Sequence, residues 1–285
     1  MRAAPGPVCA LYVPGDRPER FAKAVASGAD LVVLDLEDAV AAERKDLART
    51  AVETFVGEIG TEVAGVGMAI RVNARGTVGW AEDLELLRRL LGAGHRPAEV
   101  RLPKTESPAD VAALRAAADV PVAALIESAR GLLAAPEVAA APGVVSVGLG
   151  EADLRSDLGI EGDAAFAPLR LQLAVAASAA GLRRPAMAAY PALDDLDGLA
   201  RSCAAGRAVG CHGRSAVHPR QVPVIRRAFR PTAGELAAAR EVLEALDGPA
   251  GAARTADGSM VDAAMRGWAE ATLALAADHE DGAGG

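Results

Sequence analysis

The sequence predicts an α/β chain folded as a (β/α)8 TIM barrel with a C-terminal helical extension. Three observations lead there. Short runs rich in Val, Ile and Leu alternate with longer, Ala-rich amphipathic stretches. The short runs are almost continuously apolar, as parallel strands buried on both faces are. Eight such units precede Pro231, and a barrel of that size folds as one domain. An open doubly wound sheet is the alternative, weakened because no Gly-x-Gly-x-x-Gly follows the first strand.

The first strand is expected at Cys9 to Val13, where Pro14-Gly15 stops it. The next five are Leu31 to Leu36, Met68 to Val72, Val100 to Leu102, Val122 to Ile126 and Val144 to Leu149. A weak seventh lies around Ala186 to Ala189, and an eighth at Arg214 to Val217 ends at His218-Pro219. Helical periodicity between them marks Arg17 to Ala26, Ala81 to Leu91, Pro108 to Ala118, Ala129 to Ala141, Ala167 to Ala180 and Asp195 to Ala205. From Pro231 the beat changes. Gly234 to Leu246 reads as helix, Gly248 to Gly258 as a linker, Met260 to Ala277 as a last helix, and Asp278 to Gly285 as a frayed end. Residues 1–230 are thus expected as a catalytic barrel. Residues 231–285 are expected as an extension that packs on its own barrel or reaches a neighbouring subunit.

Composition narrows the function classes. With 51% hydrophobic and 24% charged residues the chain is an ordinary folded protein, neither disordered nor collagen-like. A net charge of -8 argues against nucleic acid and anionic membranes as partners. No run approaches a membrane span, and Met1 to Pro7 lacks the regions of a signal peptide. Cys9, Cys203 and Cys211 fit neither a disulfide framework nor a zinc site, so buried thiols in the cytoplasm are expected.

The chemistry is expected where the strands end. Strand two runs into Asp35, Glu37 and Asp38, strand three into Arg71 and Asn73, and strand four into Pro103-Lys104. Strand five gives Glu127, strand six Glu151 and Asp153, and strand eight His218. In a parallel barrel these ends converge on one mouth, where active sites are built. A single carboxylate there is commonly a helix cap, but charge at six strand ends is hard to explain as capping. Glu127 and Asp153 can share one hard cation, which suits Mg2+ with part of its water shell. Asp35, Glu37 and Asp38 could then orient metal-bound waters. Arg71 suits a carboxylate or a developing enolate oxygen. Lys104 could form a Schiff base, but the acids around it favour its charged form and an electrostatic role. His218 precedes a proline, and a lone histidine is often structural. No serine-hydrolase elbow or Walker loop occurs.

The residues also carry a resemblance. Leu11-Tyr-Val-Pro-Gly-Asp-Arg-Pro-Glu-Arg-Phe21, Leu34-Asp-Leu-Glu-Asp-Ala-Val40, Ile70-Arg-Val-Asn73 and Leu102-Pro-Lys-Thr-Glu-Ser107 are similar to motifs of the citrate lyase beta subunit-like family. So are Leu125-Ile-Glu-Ser128, Gly150-Glu-Ala-Asp-Leu154, Ala216-Val-His-Pro-Arg-Gln221 and Met260-Val-Asp262, in the same order along nearly the whole chain.

The resemblance implies a Mg2+-dependent lyase of the pyruvate/phosphoenolpyruvate-type barrels. It would cleave a 3-hydroxyacyl-CoA, such as a citryl, malyl or citramalyl thioester, to acetyl-CoA or a homologue and a keto acid. It implies Glu127 and Asp153 as metal ligands, with Glu127 also at the substrate, and Arg71 as the substrate-binding cation. Asp262 matches a catalytic acid/base contributed to a neighbouring subunit's site, in a homotrimer or hexamer. Tyr12, Lys23, Val217 and His218 match positions associated with the CoA thioester. Departures at Arg184-Pro185-Ala186-Met187, Gly213-Arg214 and Gly258-Ser259-Met260 bear on the acyl group more than on the reaction. Thioester hydrolysis, a metal-dependent aldolase of free keto acids, and a non-catalytic subunit of a lyase complex are the competing readings.

Overall fold

The computed structural model describes residues 6–247, 253–254 and 260–280. The chain runs β1 (Cys9–Pro14), α1 (Phe21–Val25), β2 (Leu31–Asp35), α2 (Lys45–Ile59), β3 (Glu62–Val63) and β4 (Val66–Arg71). It continues through α3 (Trp80–Gly92), β5 (Glu99–Leu102), α4 (Pro108–Ala117), β6 (Val122–Ile126), α5 (Ala129–Ala139) and β7 (Val144–Leu149). Then come α6 (Glu151–Leu158), α7 (Ala167–Ala179), α8 (Leu196–Ala208), β8 (Arg214–Ala216) and α9 (Val222–Phe229).

Seven strands form a curled parallel sheet in the order β7-β6-β5-β4-β2-β1-β8, and β3 folds back antiparallel on β4. This is the sheet of a TIM-barrel fold. The expected seventh strand survives as one parallel bridge from Met187 to Arg214. Its stretch is mostly alanine, with no β-branched side chain to favour a longer ladder. Among the described residues no strand pairing joins β7 to Met187, so the hydrogen-bonded ring is not closed there.

Alternation along each strand sorts the side chains. Leu11, Val13, Val32, Leu34, Met68, Ile70, Val100 and Leu102 belong to the main buried core. Each such Leu or Ile contributes roughly 1.5–3 kcal/mol by leaving water. The opposite face is different. Ala10, Leu31, Val33 and Ala69 form a small separate cluster with Tyr12 against it. Asp35, Arg71, Glu99 and Arg101 follow on the same parity, so the inner face changes from apolar to charged.

The chain divides into two compact units, Met1–Phe229 and Arg230–Gly285. In the second, α10 (Ala233–Asp247) follows a reciprocal cap. The Glu235 amide donates to Thr232 Oγ1 at 3.2 Å, and Thr232 N donates to Glu235 Oε2 at 2.7 Å. The expected last helix is corrected at its start. Met260–Val261 form β10, paired antiparallel with β9 (Ala253–Arg254), and α11 covers Arg266–Glu280. Val261 is buried with Ala239, Val242 and Ala269, which fixes this segment as a strand against helices. The helix expected over Arg17 to Ala26 is also shorter, because Pro18–Arg20 forms a 3-10 turn before α1. Most of the linker expected over Gly248 to Gly258 lies outside the described residues, as do 281–285 of the expected frayed end. Cys9, Cys203 and Cys211 are free and buried. Among the described residues no helix is long and apolar enough to cross a membrane.

Candidate active site

The parallel register sets Asp35 beside Arg71 at the carboxyl ends of β2 and β4. Both side chains point inward and pair in two-pronged fashion. Arg71 Nε donates to Asp35 Oδ1 at 2.7 Å and Nη2 to Oδ2 at 2.6 Å. Its remaining Nη1 lies 2.8 Å from Glu37 Oε2, a charge contact without hydrogen-bond geometry, and 3.6 Å from Asp38. The guanidinium also stacks over Tyr12, 5.1 Å from the ring centre. Burial opposes the Arg71 charge. The hydrogen bond and charge of Asp35, with Tyr12 and Glu37, outweigh it and drive the pKa up, so Arg71 stays cationic.

Glu37 is held from the other side by Lys104, whose Nζ donates to Oε1 at 2.7 Å. Burial raises the Glu37 pKa against the lowering pull of Arg71 and Lys104. For Lys104, burial works against the charge, but Glu37, Asp38 and Glu127 prevail and raise its pKa. An ammonium held charged is a poor Schiff-base nucleophile. The Lys104 backbone is left-handed, at φ 51°, and its N–H is aimed at Glu127 Oε2, 3.1 Å away.

Glu127 follows β6 and is buried. Its pKa is pushed up to about 8, first by burial, then by the charges of Glu37 and Asp153, against Lys104 and Arg71. Asp153 stands in the first turn of α6, one residue triplet beyond Gly150. Gly150 is needed there, because a Cβ would meet Glu127 Cγ and Oε1 at 2.5 Å. A buried carboxylate whose proton is retained by neighbouring negative charge is a site short of a cation. Among the described residues no group of three or more His, Cys, Asp or Glu is placed to hold a metal. Two oxygen donors with open positions for water fit Mg2+ rather than zinc.

Other expected residues are placed as follows. Asp35 has both oxygens taken by Arg71, and one also accepts from Glu37 N at 3.0 Å, so it holds Arg71 in place. Asp38 is largely exposed. Glu151 pairs through both oxygens with Arg170, at 2.7 and 2.8 Å, which makes it a brace for α6 and α7. Tyr12 and Val217 line the same cavity as Glu127 and Asp153; its volume is 820 Å³. Lys23 is exposed on α1 and His218 caps a 3-10 turn, its Nδ1 accepting from Arg220 N at 3.2 Å; neither lines that cavity. Asp262, in the second unit, is exposed and accepts from Ala264 N at 2.9 Å.

Several residues went unnoticed in the sequence. Lys45 Nζ donates to the carbonyls of Leu36 and Glu37 at 2.8 and 3.1 Å and to Asn73 Oδ1 at 2.6 Å. Asn73 is in turn tied to fully buried Asp83, which Arg49 neutralises at 2.8 Å. This network fixes the loop that presents Glu37. Glu99, Arg101 and Arg183 were missed inside the barrel; the signal was two charges at alternate positions in a short apolar strand.

Residues 9–219 match the family described as HpcH/HpaI aldolase/citrate lyase, and residues 172–279 match C-C bond lyases of the TIM-barrel fold. The citrate lyase subunit beta-like protein of Mycobacterium tuberculosis is 40% identical over 276 residues, covering 94% of this chain and 95% of that protein. A (3S)-malyl-CoA thioesterase of Cereibacter sphaeroides is 32% identical over 249 residues, covering 83% and 82%. The crystal structure of M. tuberculosis CitE in complex with magnesium, acetoacetate and coenzyme A superposes with a TM-score of 0.81 at 39% identity, covering 97% of this chain and 100% of that one. With its barrel sheet, its carboxylates at the strand ends and these matches along its length, the chain belongs to the HpcH/HpaI aldolase/citrate lyase family, among the citrate lyase beta-like CoA-ester lyases.

Proposed function

We propose that this protein is a Mg2+-dependent lyase acting on a 3-hydroxyacyl-CoA, and that it releases acetyl-CoA or a homologue and a keto acid. The observation that carries the reading is the buried Glu127 carboxylate, pushed up to about 8 beside Asp153 and Glu37. Glu127 and Asp153 would hold the ion. Mg2+ bound there would supply Lewis-acid polarisation of the substrate's oxygens.

The chain's own groups then do the rest. The substrate's 3-hydroxyl gives up its proton to water, the C2–C3 bond breaks, C3 becomes the carbonyl of the oxo acid, and the bonding pair moves into a thioester enolate. Arg71 is a fixed cation at the mouth, so it stabilises the oxygen on which that charge grows. Asp35 holds the guanidinium plane, and Lys104 keeps Glu37 in place as a second positive charge. Tyr12 and Val217 line the cavity and would meet the thioester. Asp262, supplied by the second unit of a neighbouring subunit in a homotrimer or hexamer, returns the proton to C2. The barrel is thus the catalytic domain and residues 231–285 the part that completes a neighbour's site. The similarity to a malyl-CoA thioesterase favours one second outcome, in which the same thioester is hydrolysed after or instead of carbon–carbon cleavage.

A panel of citryl-, malyl- and citramalyl-CoA, assayed with and without chelator for keto acid and for thiol, tests the reading. Chelator-sensitive keto acid release is expected, and thiol release alone would indicate the hydrolase. Turnover indifferent to chelator would overturn the metal assignment.

A further inference from the structure

TIM-barrel interiors are normally filled by layers of branched apolar side chains. Here several inward positions are small, and Ala10, Ala123, Ser146, Gly148 and Ser215 all line the cavity. The cavity therefore does not stop below the mouth. It extends to Gly6, which precedes β1, and to Glu99 at the first residue of β5. Within this inner half Arg101 Nε donates to Glu99 Oε1 at 3.1 Å, and Arg183 pairs with Glu99 Oε2. Arg101 Nη1 also donates to the hydroxyls of Tyr12 at 2.8 Å and Ser215 at 3.3 Å, and Arg183 Nη2 to Ser146 Oγ at 3.2 Å. Two guanidinium groups thus share one carboxylate, which leaves one positive charge in this part of the cavity. Both Glu99 and Arg101 are more than nine-tenths buried.

We propose that this stretch of the cavity is an anion-binding site, formed by residues other than Glu127 and Asp153, that takes a small monocarboxylate between Arg101 and Arg183. Arg183 is 22% exposed, so the surplus charge sits where a counter-ion can reach it. A single carboxylate balances the surplus, matches the planar guanidinium forks, and fits beside alanine, glycine and serine walls. Tyr12 links this cluster to Arg71, since its ring lies 5.1 Å from the Arg71 guanidinium and 5.0 Å from that of Arg101. The site stands whatever reaction occurs at the mouth.

The test is isothermal titration of the full chain with sodium acetate, in EDTA and at constant ionic strength. One acetate per chain is expected. Arg183→Met removes the surplus charge and a charged hydrogen-bond donor, so affinity falls by about tenfold or more. Glu99→Gln doubles the surplus, so affinity rises by a similar factor. A merely structural network would be weakened by both changes. No acetate uptake, equal affinity in Arg183→Met, weaker binding in Glu99→Gln, or equally tight uptake of chloride would each overturn the proposal. Should Arg183→Met fail to fold by circular dichroism, the sign of the Glu99→Gln change decides alone.

Discussion

Glu127→Gln is expected to make the metal-free protein more stable while removing its metal site. The amide is the same size and keeps an oxygen for the Lys104 N–H, now 3.1 Å from Glu127 Oε2. What it deletes is a negative charge that the fold disfavours. The Glu127 pKa rises from 4.5 to about 8 on folding, so between those values the native state binds more protons than the unfolded chain. The stabilising effect of holding that proton is complete below pH 4.5 and is lost as pH climbs through 8. At full strength such a displacement corresponds to about 5 kcal/mol. Relaxation and water entry reduce it, which leaves a gain of about 1–3 kcal/mol for the amide above pH 8. Urea unfolding in EDTA at pH 9 and at pH 4 measures this directly. Glu127→Gln should be the more stable protein at pH 9, with the difference gone at pH 4. Equal or lower stability of the variant at pH 9 would refute the claim that burial and neighbouring charge hold a proton on Glu127.

Further outcomes follow from the same geometry. Gly150→Ala should weaken Mg2+ uptake about tenfold with the fold retained, because the added methyl meets Glu127 at 2.5 Å; calorimetry of the variant checks it. Arg71→Met strands Asp35, which is 1% exposed, and should cost about 3–5 kcal/mol in urea unfolding. Adding Asp35→Asn should restore most of that stability without restoring turnover. Borohydride with a keto acid should trap no adduct on Lys104, and mass spectrometry finding one there would reverse its electrostatic assignment. Asp262→Asn should lower turnover much more than thioester binding. Mixing it with an inactive Arg71 variant should regain activity after subunit exchange if the site is shared.

Much of the barrel was legible because its strands are written as plain apolar runs. Val122 to Ile126 and Val144 to Leu149 appear in the structure with the boundaries the sequence suggested. The seventh strand was weak in the sequence for the same reason it is a lone bridge in the fold, since alanines neither fill a core nor favour a ladder. Met260–Val261 was read as helix because two apolar residues before a long amphipathic run share its pattern; pairing with Ala253–Arg254 is a non-local fact. The charged mouth could be seen, since charge at strand ends is a local signal. The pairings within it could not. Nothing in the sequence says that Arg71 closes on Asp35 or that Glu151 is taken by Arg170, because both depend on register and side-chain direction. Arg101 sat inside a recognised strand, yet the run was read as apolar, and this stretch of the cavity was missed with it.

The proposed lyase chemistry needs one divalent ion held by Glu127 and Asp153. Titration of the wild-type chain, Glu127→Gln and Asp153→Asn with MgCl2, followed by calorimetry, tests this most directly. One ion per chain is predicted for the wild type, with uptake lost in both variants. Undiminished uptake by either variant, or none by the wild type even beside a CoA thioester, would contradict it.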